Sequence, residues 1–351
     1  MNMPRIIATG TANPPNRFTQ DEVLALAGYT DERRRGFFLN SGVEGRYLAI
    51  ERNGFRPIET FDDLQARFRK VSVDLGCRAL LAALSRAGRR PRDLDFLATT
   101  TCTGRLCPSL DAILIRELGL RSDLQRVHVW DTGCASAIVA LQQAHNHLCA
   151  FPDHLAAVVA VEVSSTSYYM DDDLETAVAN AIFADGAGAA ILAGPALAGN
   201  GKAGLGTGPE VVAHRTLVRP EFLEIMGFTF PAGRQRIMLS KDVRQVAADM
   251  LGELANNLLA ARGLSRADVD YWILHSAGRR VIERAQRQLG LSNAALAPAR
   301  AILRHYGNMS SATVLFVLQE LLETARPRAG DWGVMIALGP GFAAEGALLR
   351  W

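Results

Sequence analysis

Residues 131–137, with the sequence DTGCASA, decide the fold because they join a short apolar strand to a helix through a tight turn. The strand is predicted over residues 127–130 and the helix from about residue 135 to residue 149. Gly133 permits the turn, since glycine adopts backbone conformations that other residues avoid. Cys134 therefore stands at a helix N-terminus, where free amides and the helix dipole favour a thiolate nucleophile. The alternative interpretation is a small buried cysteine that fills a gap in the core.

The same alternation of strands and helices extends outward from this turn and predicts a layered α/β architecture. Further strands are predicted over residues 5–9, 94–99, 156–163, 187–192, 271–274 and 333–338. Further helices are predicted over residues 71–87, 111–118, 243–262 and 309–324. The glycine-rich residues 194–208 divide the chain into halves, predicted at 1–200 and 201–351. An internal duplication of the halves fits this pattern without being proved by it.

The composition of the 351 residues is that of a globular protein with a sizeable core. Lys and Arg number 38 against 36 for Asp and Glu, so the net charge of +2 gives no global drive toward nucleic acid or membrane. No apolar run is long enough to span a bilayer, and the N-terminus does not resemble a signal peptide. Five cysteines without a CxxC pair argue against a disulfide framework or a zinc site, so the cytoplasm is the expected compartment.

Two further polar residues could act with Cys134. His275 follows a predicted strand directly and is succeeded by small residues, so it can point into a cleft, although a surface or core position would explain it equally. Asn308 precedes a predicted helix, where it could cap the helix or direct an amide donor at a developing oxyanion. Taken together, Cys, His and Asn can form a nucleophile with an oxyanion site.

At these positions the chain resembles the type III polyketide synthases, the chalcone synthase-like branch of the thiolase superfamily. The resemblance runs from about residue 6 to the end, and YGNMSS and the GPG turn are its most specific motifs. The motifs are GTANPP (10–15), FLNSGVEGRY (38–47), DTGCAS (131–136), FADGAGAA (183–190), HSAG (275–278), YGNMSS (306–311) and LGPGF (338–342). The resemblance implies a thiolase-like αβαβα fold of two similar halves, with Cys134 in the first half and His275 and Asn308 in the second.

The resemblance also implies a reaction, the decarboxylative condensation of malonyl-CoA onto an acyl starter carried by Cys134. His275 and Asn308 would bind the thioester carbonyl, and repeated condensation would lead to cyclisation. The segments FLNS, HSAG and the ending ALLRW are similar to bacterial members that make dihydroxyphenyl-type aromatic products. Coenzyme A thioesters would be the substrates, with no tightly bound cofactor and no metal.

Several other positions match functional features of the family. Phe183 matches an aromatic gatekeeper between the coenzyme A tunnel and the cavity. A second gatekeeper falls at Ile237 if Lys241 anchors the alignment, or at Phe230 in an alternative alignment. The remaining matches are a loop that would reach across a homodimer into the partner's cavity (Cys107, Pro108) and a turn that would shape the cavity wall (Gly339, Pro340, Gly341). Ser276, Ala277 and Ala184 depart from the family pattern and put the substrate size in doubt.

The coenzyme A phosphates need cationic partners, and the run Arg33, Arg34, Arg35 on a family helix could supply them because guanidinium groups pair well with phosphate. A solvated helix face explains each of these arginines equally well. Two other functions remain open at this point: a ketosynthase III-like enzyme that uses an acyl-carrier protein, and a catalytically silent partner subunit.

Overall fold

The computed structural model describes residues 3–52, 59–169, 171–198 and 208–351. Its strands are β1 (Arg5–Ala12), β2 (Arg17–Thr19), β3 (Gly45–Tyr47), β4 (Phe96–Thr101), β5 (Gln125–Trp130), β6 (Leu155–Val163), β7 (Asp185–Ala193), β8 (Glu210–Val218), β9 (Met226–Thr229), β10 (Arg236–Leu239), β11 (Tyr271–Leu274), β12 (Trp332–Gly339) and β13 (Ala343–Arg350). Its α-helices are α1 (Gln20–Ala27), α2 (Glu32–Leu39), α3 (Phe61–Arg86), α4 (Leu110–Leu118), α5 (Ser136–Ala150), α6 (Leu174–Ile182), α7 (Pro195–Ala198), α8 (Val243–Ala260), α9 (Arg279–Leu289), α10 (Ala297–Tyr306) and α11 (Thr313–Thr324).

The large sheet consists of two half-sheets joined at one point. Its strand order is β11-β12-β13-β8-β1-β7-β6-β4-β5. At the centre β1 and β8 share a single register pair, Arg5 with Glu210, whereas each neighbouring strand pair is joined along most of its length. The two half-sheets are therefore joined only by a short hydrogen-bonded contact between their inner strands, in which Ile6 N donates to Pro209 O and Val211 N to Pro4 O, each at 2.9 Å.

The two half-sheets repeat one topology. Counted outward from the centre, the N-terminal half contains β1, β7, β6 and β4, and the C-terminal half contains β8, β13, β12 and β11. In both halves the first two pairs are antiparallel and the third is parallel. The expected fold of two similar halves is confirmed, and the N-terminal half carries β5 as an additional edge strand. The expected boundary at residues 200 and 201 lies outside the described residues and stays a prediction.

The layers follow from strands that are apolar on both faces. On β6, Val158 and Ala160 belong to the central core shared with α5 and α11, whereas Val159 and Val161 face the outer core under α3 and α4. Because side chains alternate along a strand, a continuous apolar run buries both faces of the sheet.

The C-terminal half buries its sheet in the same way. On β12, Met335 and Ala337 enter the central core, and Val334 and Ile336 pack in the outer core with α8 and α9. Helices α5 and α11 thus lie between the half-sheets, and the order of layers is helix, sheet, helix, sheet, helix. Among the described residues, no helix combines the length and the apolar character needed to cross a bilayer.

Candidate active site

Cys134 lies in a sharp turn between β5 and α5, as the sequence predicts. After Trp130 the chain turns through Asp131 and Gly133, which have positive φ values of 58° and 55°. A Cβ atom on Gly133 would come within 2.2 Å of Pro340 Cδ, so glycine is required here by space as well as by conformation. Cys134 then sits in a short 3-10 turn that leads directly into α5.

The Cys134 thiol is held by a hydroxyl rather than by a charged group. Its Sγ lies 3.2 Å from Ser310 Oγ, and the same hydroxyl lies 3.1 Å from Cys102 Sγ. Burial raises the pKa of the Cys134 thiol to about 12, against a smaller lowering by the Ser310 hydrogen bond. The helix N-terminus alone predicts a thiolate, but desolvation in this site outweighs that effect.

His275 follows β11 and presents an imidazole without partners. Its backbone amide donates to Ile336 O at 3.0 Å, which extends the parallel pairing of β11 with β12 by one residue. Within the described part of the chain, neither ring nitrogen has a hydrogen-bond partner, although the residue is buried. Burial lowers the pKa of His275 to about 4, so the imidazole is neutral.

Asn308 is fixed between α10 and α11 by its own backbone and amide. Its N–H donates to Ile182 O and its carbonyl accepts from Ala184 N, both at 2.8 Å. The side-chain Oδ1 accepts from the Ser310 amide at 2.9 Å, while Nδ2 makes a longer contact of 3.3 Å with Ala277 O. The amide does not cap α11, which begins only at Thr313; its Oδ1 instead accepts at the start of the preceding 3-10 turn, Ser310–Ala312.

These three residues share one cavity with Phe183. Cys134, His275, Asn308 and Phe183 all line a cavity of about 660 Å³, whose remaining wall is largely apolar. A volume of this size accommodates a small organic ligand with an attached chain. Basic side chains lie around the same cavity, namely Arg33, Lys241, Arg244, Arg279 and Arg280.

The arginine run on α2 divides among three environments. Arg33 lines the cavity, as expected for a coenzyme A contact. Arg34 is instead committed to the Asp31 carboxylate at 2.9 Å and to the carbonyl oxygen of Asp172. Arg35 is exposed and does not line the cavity, because successive helical residues point in different directions. Four of the five cavity cations lie in the C-terminal half, in and around α8 and α9, and sequence reasoning missed them.

The two alternative positions for a second gatekeeper lie outside this cavity. Ile237 lines a surface pocket with Asp173 and Glu175, and Phe230 lines a second cavity. The reason is the β9–β10 hairpin, which is attached to α6 through a hydrogen bond from the Leu239 amide to the Glu175 carboxylate at 3.0 Å. Leu239, not Ile237, faces the Cys134 cavity.

The remaining predicted residues occupy two places. Cys107 and Pro108 are exposed in the loop between β4 and α4. Gly339 and Pro340 press against the turn that carries Cys134: a Cβ on Gly339 would come within 2.2 Å of Thr132 O. The turn containing Gly341 therefore supports the nucleophile, while its neighbours Leu338 and Phe342 form the cavity wall.

Glu162 was missed by sequence reasoning and lies beneath the nucleophile. Its fully buried carboxyl accepts hydrogen bonds from Thr103 Oγ1 at 2.8 Å, from the Cys102 amide at 3.1 Å and from Ser311 Oγ. Burial raises the pKa of Glu162 against the opposing effect of these donors. The available signal was an acidic residue inside the apolar run of β6, a pattern that marks candidate functional sites.

Sequence comparisons point to one family over most of the chain. A sequence model of chalcone and stilbene synthases, C-terminal domain, matches residues 224–351, and a model of FAE1/type III polyketide synthase-like proteins matches residues 65–264. A 3,5-dihydroxyphenylacetyl-CoA synthase of Streptomyces toyocaensis is 36% identical, with 99% of this chain and 90% of that protein covered. A 1,3,6,8-tetrahydroxynaphthalene synthase of Streptomyces peucetius subsp. caesius is 34% identical, covering 99% and 93%.

A comparison of folds agrees with the sequence matches. The crystal structure of PKS-I from the brown alga Ectocarpus siliculosus superimposes with a TM-score of 0.90 and 30% identity. The match covers 100% of this chain and 98% of that chain.

Proposed function

The chain belongs to the type III polyketide synthase family, which includes the chalcone synthases, and we propose that it extends an acyl group carried on Cys134 with malonyl units. The observation that carries this proposal is the convergence of Cys134, His275 and Asn308 on one apolar cavity with cations around it. A catalytically silent subunit would need none of the three.

The first step is acyl transfer to Cys134. The Sγ proton passes to the unpartnered imidazole of His275, and the thiolate attacks the thioester carbonyl of the starter. The carbon–sulfur bond to coenzyme A breaks, and the coenzyme leaves as its thiol after taking up a proton. Burial disfavours an isolated Cys134 thiolate and an isolated His275 imidazolium. The thiolate–imidazolium pair therefore forms when the proton moves directly from Cys134 to His275.

The second step is carbon–carbon bond formation. Malonyl-CoA loses carbon dioxide, and the resulting enolate oxygen is held by the His275 ring N–H and the Asn308 amide. Donors placed at such an oxygen contribute several kcal/mol to the barrier reduction, typically about 3 kcal/mol each. The fixed Oδ1 contact with Ser310 leaves the second Nδ2 hydrogen of Asn308 for this role. The enolate carbon then attacks the Cys134 thioester.

The substrates are coenzyme A thioesters. Five basic residues surround the cavity, and guanidinium and ammonium groups are suited to the diphosphate and phosphate groups of coenzyme A. Arg33 comes from α2 and Arg279 and Arg280 from the start of α9, so the cations approach a ligand from two sides. Repeated condensation and cyclisation to a dihydroxyphenyl-type aromatic product is supported by the named relative at 36% identity.

The active form is a homodimer in the cytoplasm. The exposed Cys107-Pro108 loop and the sheet edge formed by β5 support an interface on this face. All five cysteines are free thiols, which suits a reducing compartment.

Incubation with malonyl-CoA alone, followed by mass spectrometry, tests the proposed reaction. The wild type is expected to release a cyclised polyketide, and Cys134→Ala at least about 10³-fold less because the covalent step is lost. Cys149→Ala removes an exposed thiol outside the cavity and serves as the matched control. A wild type that makes no polyketide from malonyl-CoA with any acyl-CoA starter would contradict the proposal. Activity only with a carrier-bound substrate would favour the ketosynthase III-like alternative.

A further inference from the structure

The cavity that contains Cys134 reaches the surface between α2 and the start of α9. Its wall includes Cys134 itself, the exposed Arg33 of α2 and the exposed Arg279 and Arg280 of α9. The Arg279 amide lies 3.4 Å from Ser41 O, so the two helices meet at this opening. We call the opening the mouth of the cavity, and a donor of acyl groups from solvent can approach Cys134 there.

The surface around the mouth carries a positive charge that is mostly unpaired. Among the described residues that line the cavity, Glu175 is the only acidic one, and it accepts a hydrogen bond from the Leu239 amide. Arg279 has a carboxylate partner, Glu283, at 3.7 Å. The cations at the mouth and on the adjoining face of α9 that form no ion pair with any described residue are Arg33, Lys241, Arg244, Arg280 and Arg284. Because like charges repel one another, an anionic partner would stabilise this surface.

The positive surface continues along α9 beyond the cavity. Arg284 stands one helical turn after Arg280, does not line the cavity, and donates to Gln245 Oε1 at 2.6 Å. Burial and the charges of Arg280 and Arg284 lower the pKa of Arg244 on α8, so three guanidinium groups lie close together. A ligand inside the cavity is met by the cations that line it, and Arg284 adds positive charge outside that space.

An exposed leucine lies on the α2 side of the mouth. Leu39 ends α2 and is 63% exposed, between Phe37 and Asn40, which line the cavity. Arg35 lies one helical turn earlier on the same helix face and is also exposed. A phosphate group gains nothing from an apolar side chain, whereas a protein partner can cover it and pair with the cations around it. The three residues outside the cavity, which we call the outer rim, are Arg35, Leu39 and Arg284.

We infer that the outer rim docks an acidic carrier protein that delivers the starter acyl group on a phosphopantetheine arm. The inference rests on the proposed function, because the acyl group is transferred to Cys134 and is then extended from malonyl-CoA. Coenzyme A carries the same arm, so one cavity accepts both donors, and the carrier protein differs in its contacts outside the cavity. In the transfer the thioester bond to the arm breaks and the bond to Cys134 Sγ forms. The arm leaves as a thiol with the proton that Cys134 gave to His275.

Transfer of one acyl group from three donors tests this surface. The donors are butyryl-CoA, butyryl-pantetheine and an acidic bacterial acyl-carrier protein with a butyryl group on its phosphopantetheine arm, and intact mass spectrometry follows acylation of Cys134. At equal concentration, the carrier protein is expected to acylate the wild type at least about tenfold faster than butyryl-pantetheine, because only the carrier contacts the outer rim.

Two variants of the outer rim remove this advantage. Arg284→Glu and Leu39→Asp are each expected to slow transfer from the carrier protein about tenfold, because a negative charge on the rim repels an acidic surface. Transfer from butyryl-CoA should change by less than about threefold, since charges outside the cavity are screened by solvent and salt. Acylation by butyryl-CoA also shows that each variant is folded.

The controls separate this inference from the proposed function. Arg92→Glu reverses an exposed charge that does not line the cavity and should keep the wild-type rate with each donor. A carrier protein no faster than butyryl-pantetheine, or equally fast with Arg284→Glu and Arg92→Glu, would overturn the docking surface, and acylation by butyryl-CoA would leave the proposed function standing. Absence of Cys134 acylation by all three donors and by malonyl-CoA would overturn both.

Discussion

Burial controls the protonation of the side chains at the centre of the site. Desolvation raises the pKa of Cys134 and of Glu162 and lowers the pKa of His275, so burial favours the neutral form of each group. Ser310 touches the nucleophile through its hydroxyl and orients Asn308 through its amide. The chemistry therefore depends on proton transfer between buried groups, where the electrostatic effect of each transfer is larger than in water.

Residue-scale burial also predicts how stability depends on pH. His214 on β8 packs edge-on against His145, with ring centroids 5.0 Å apart, and burial lowers its pKa to about 3. An unfolded histidine titrates near 6.5, so the unfolded state binds the extra proton between these values. The contribution of neutral His214 to the free energy of unfolding is complete above pH 6.5. It decreases as the pH falls below this value, by up to about 1.4 kcal/mol per pH unit.

Urea unfolding at pH 7.5, 6.0 and 5.0 measures this effect. His214→Leu is expected to lose less stability on acidification than the wild type, because the variant has no buried imidazole to protonate. His305→Leu removes an exposed histidine on α10 and should follow the wild-type profile. If the wild type and His214→Leu lost the same stability on acidification, other groups would determine the loss of stability at low pH.

The sequence could identify a site residue where local structure alone determines the position of its side chain. Cys134 and His275 each follow a predicted strand, and a strand end places a side chain at the edge of a sheet. Ser310 and Cys102 could not be assigned, since their contact joins positions 208 residues apart. Glu162 carried a local signal, but its partners come from two other segments, residues 101–103 and Ser311. Protonation was misjudged for a related reason: desolvation depends on the whole surroundings of a group, not on its helix.

At the scale of elements, the turn that carries Cys134 packs closely against the turn between β12 and β13, and we call this contact the clamp. Gly339 approaches Thr132 O so closely that a Cβ would lie 2.2 Å from it. Gly339→Ala must therefore displace the turn that holds Cys134. We expect a loss of stability of about 1–3 kcal/mol, typical of overpacking. We also expect about 10²-fold lower kcat, since a displacement near 1 Å disturbs the reacting geometry.

Gly227→Ala is the matched control for this clamp. Gly227 lies on β9, and the nearest atom to its added Cβ would be Met238 Cε at 3.6 Å, an ordinary contact distance. Steady-state kinetics with malonyl-CoA and thermal unfolding of both variants give the comparison. If Gly339→Ala kept wild-type kcat, the clamp would have no part in positioning the nucleophile.

Most central elements could be predicted, and the hairpin over the site could not. The apolar run at residues 156–163 became β6 because its burial on both faces leaves a continuous pattern, and the run at residues 127–130 became the second half of the partly exposed edge strand β5. The β9–β10 hairpin has four-residue strands, and its position depends on long-range contacts such as Arg236 with Asp171 at 2.9 Å. An alignment anchored on Lys241 could therefore not show which hairpin residue faces the cavity.

At the scale of the whole molecule, one face of the structure has an unpaired strand edge and exposed aromatic residues. Within the described residues, strand β5 pairs only with β4 and forms the end of the sheet, with its residues exposed or half-buried. On this side, Phe61 and Phe230 at the second cavity are 50% and 51% exposed. Unpaired strand edges and exposed aromatic residues are typical of surfaces that another chain covers. We expect a second copy to cover this face.

Light scattering after size-exclusion chromatography tests the dimer and its role together. The wild type is expected to have twice the chain mass down to low micromolar concentration. Gln125→Lys places a charge at the exposed start of the β5 edge and should weaken the dimer at least about tenfold, whereas Leu223→Lys, at an exposed site away from this edge, should not. The monomeric variant should still be acylated on Cys134, because Cys134, His275 and Asn308 come from one chain, but should release shorter or uncyclised products if the Cys107-Pro108 loop of the second copy completes the cavity. A wild-type monomer with full product formation would show instead that one chain completes the site.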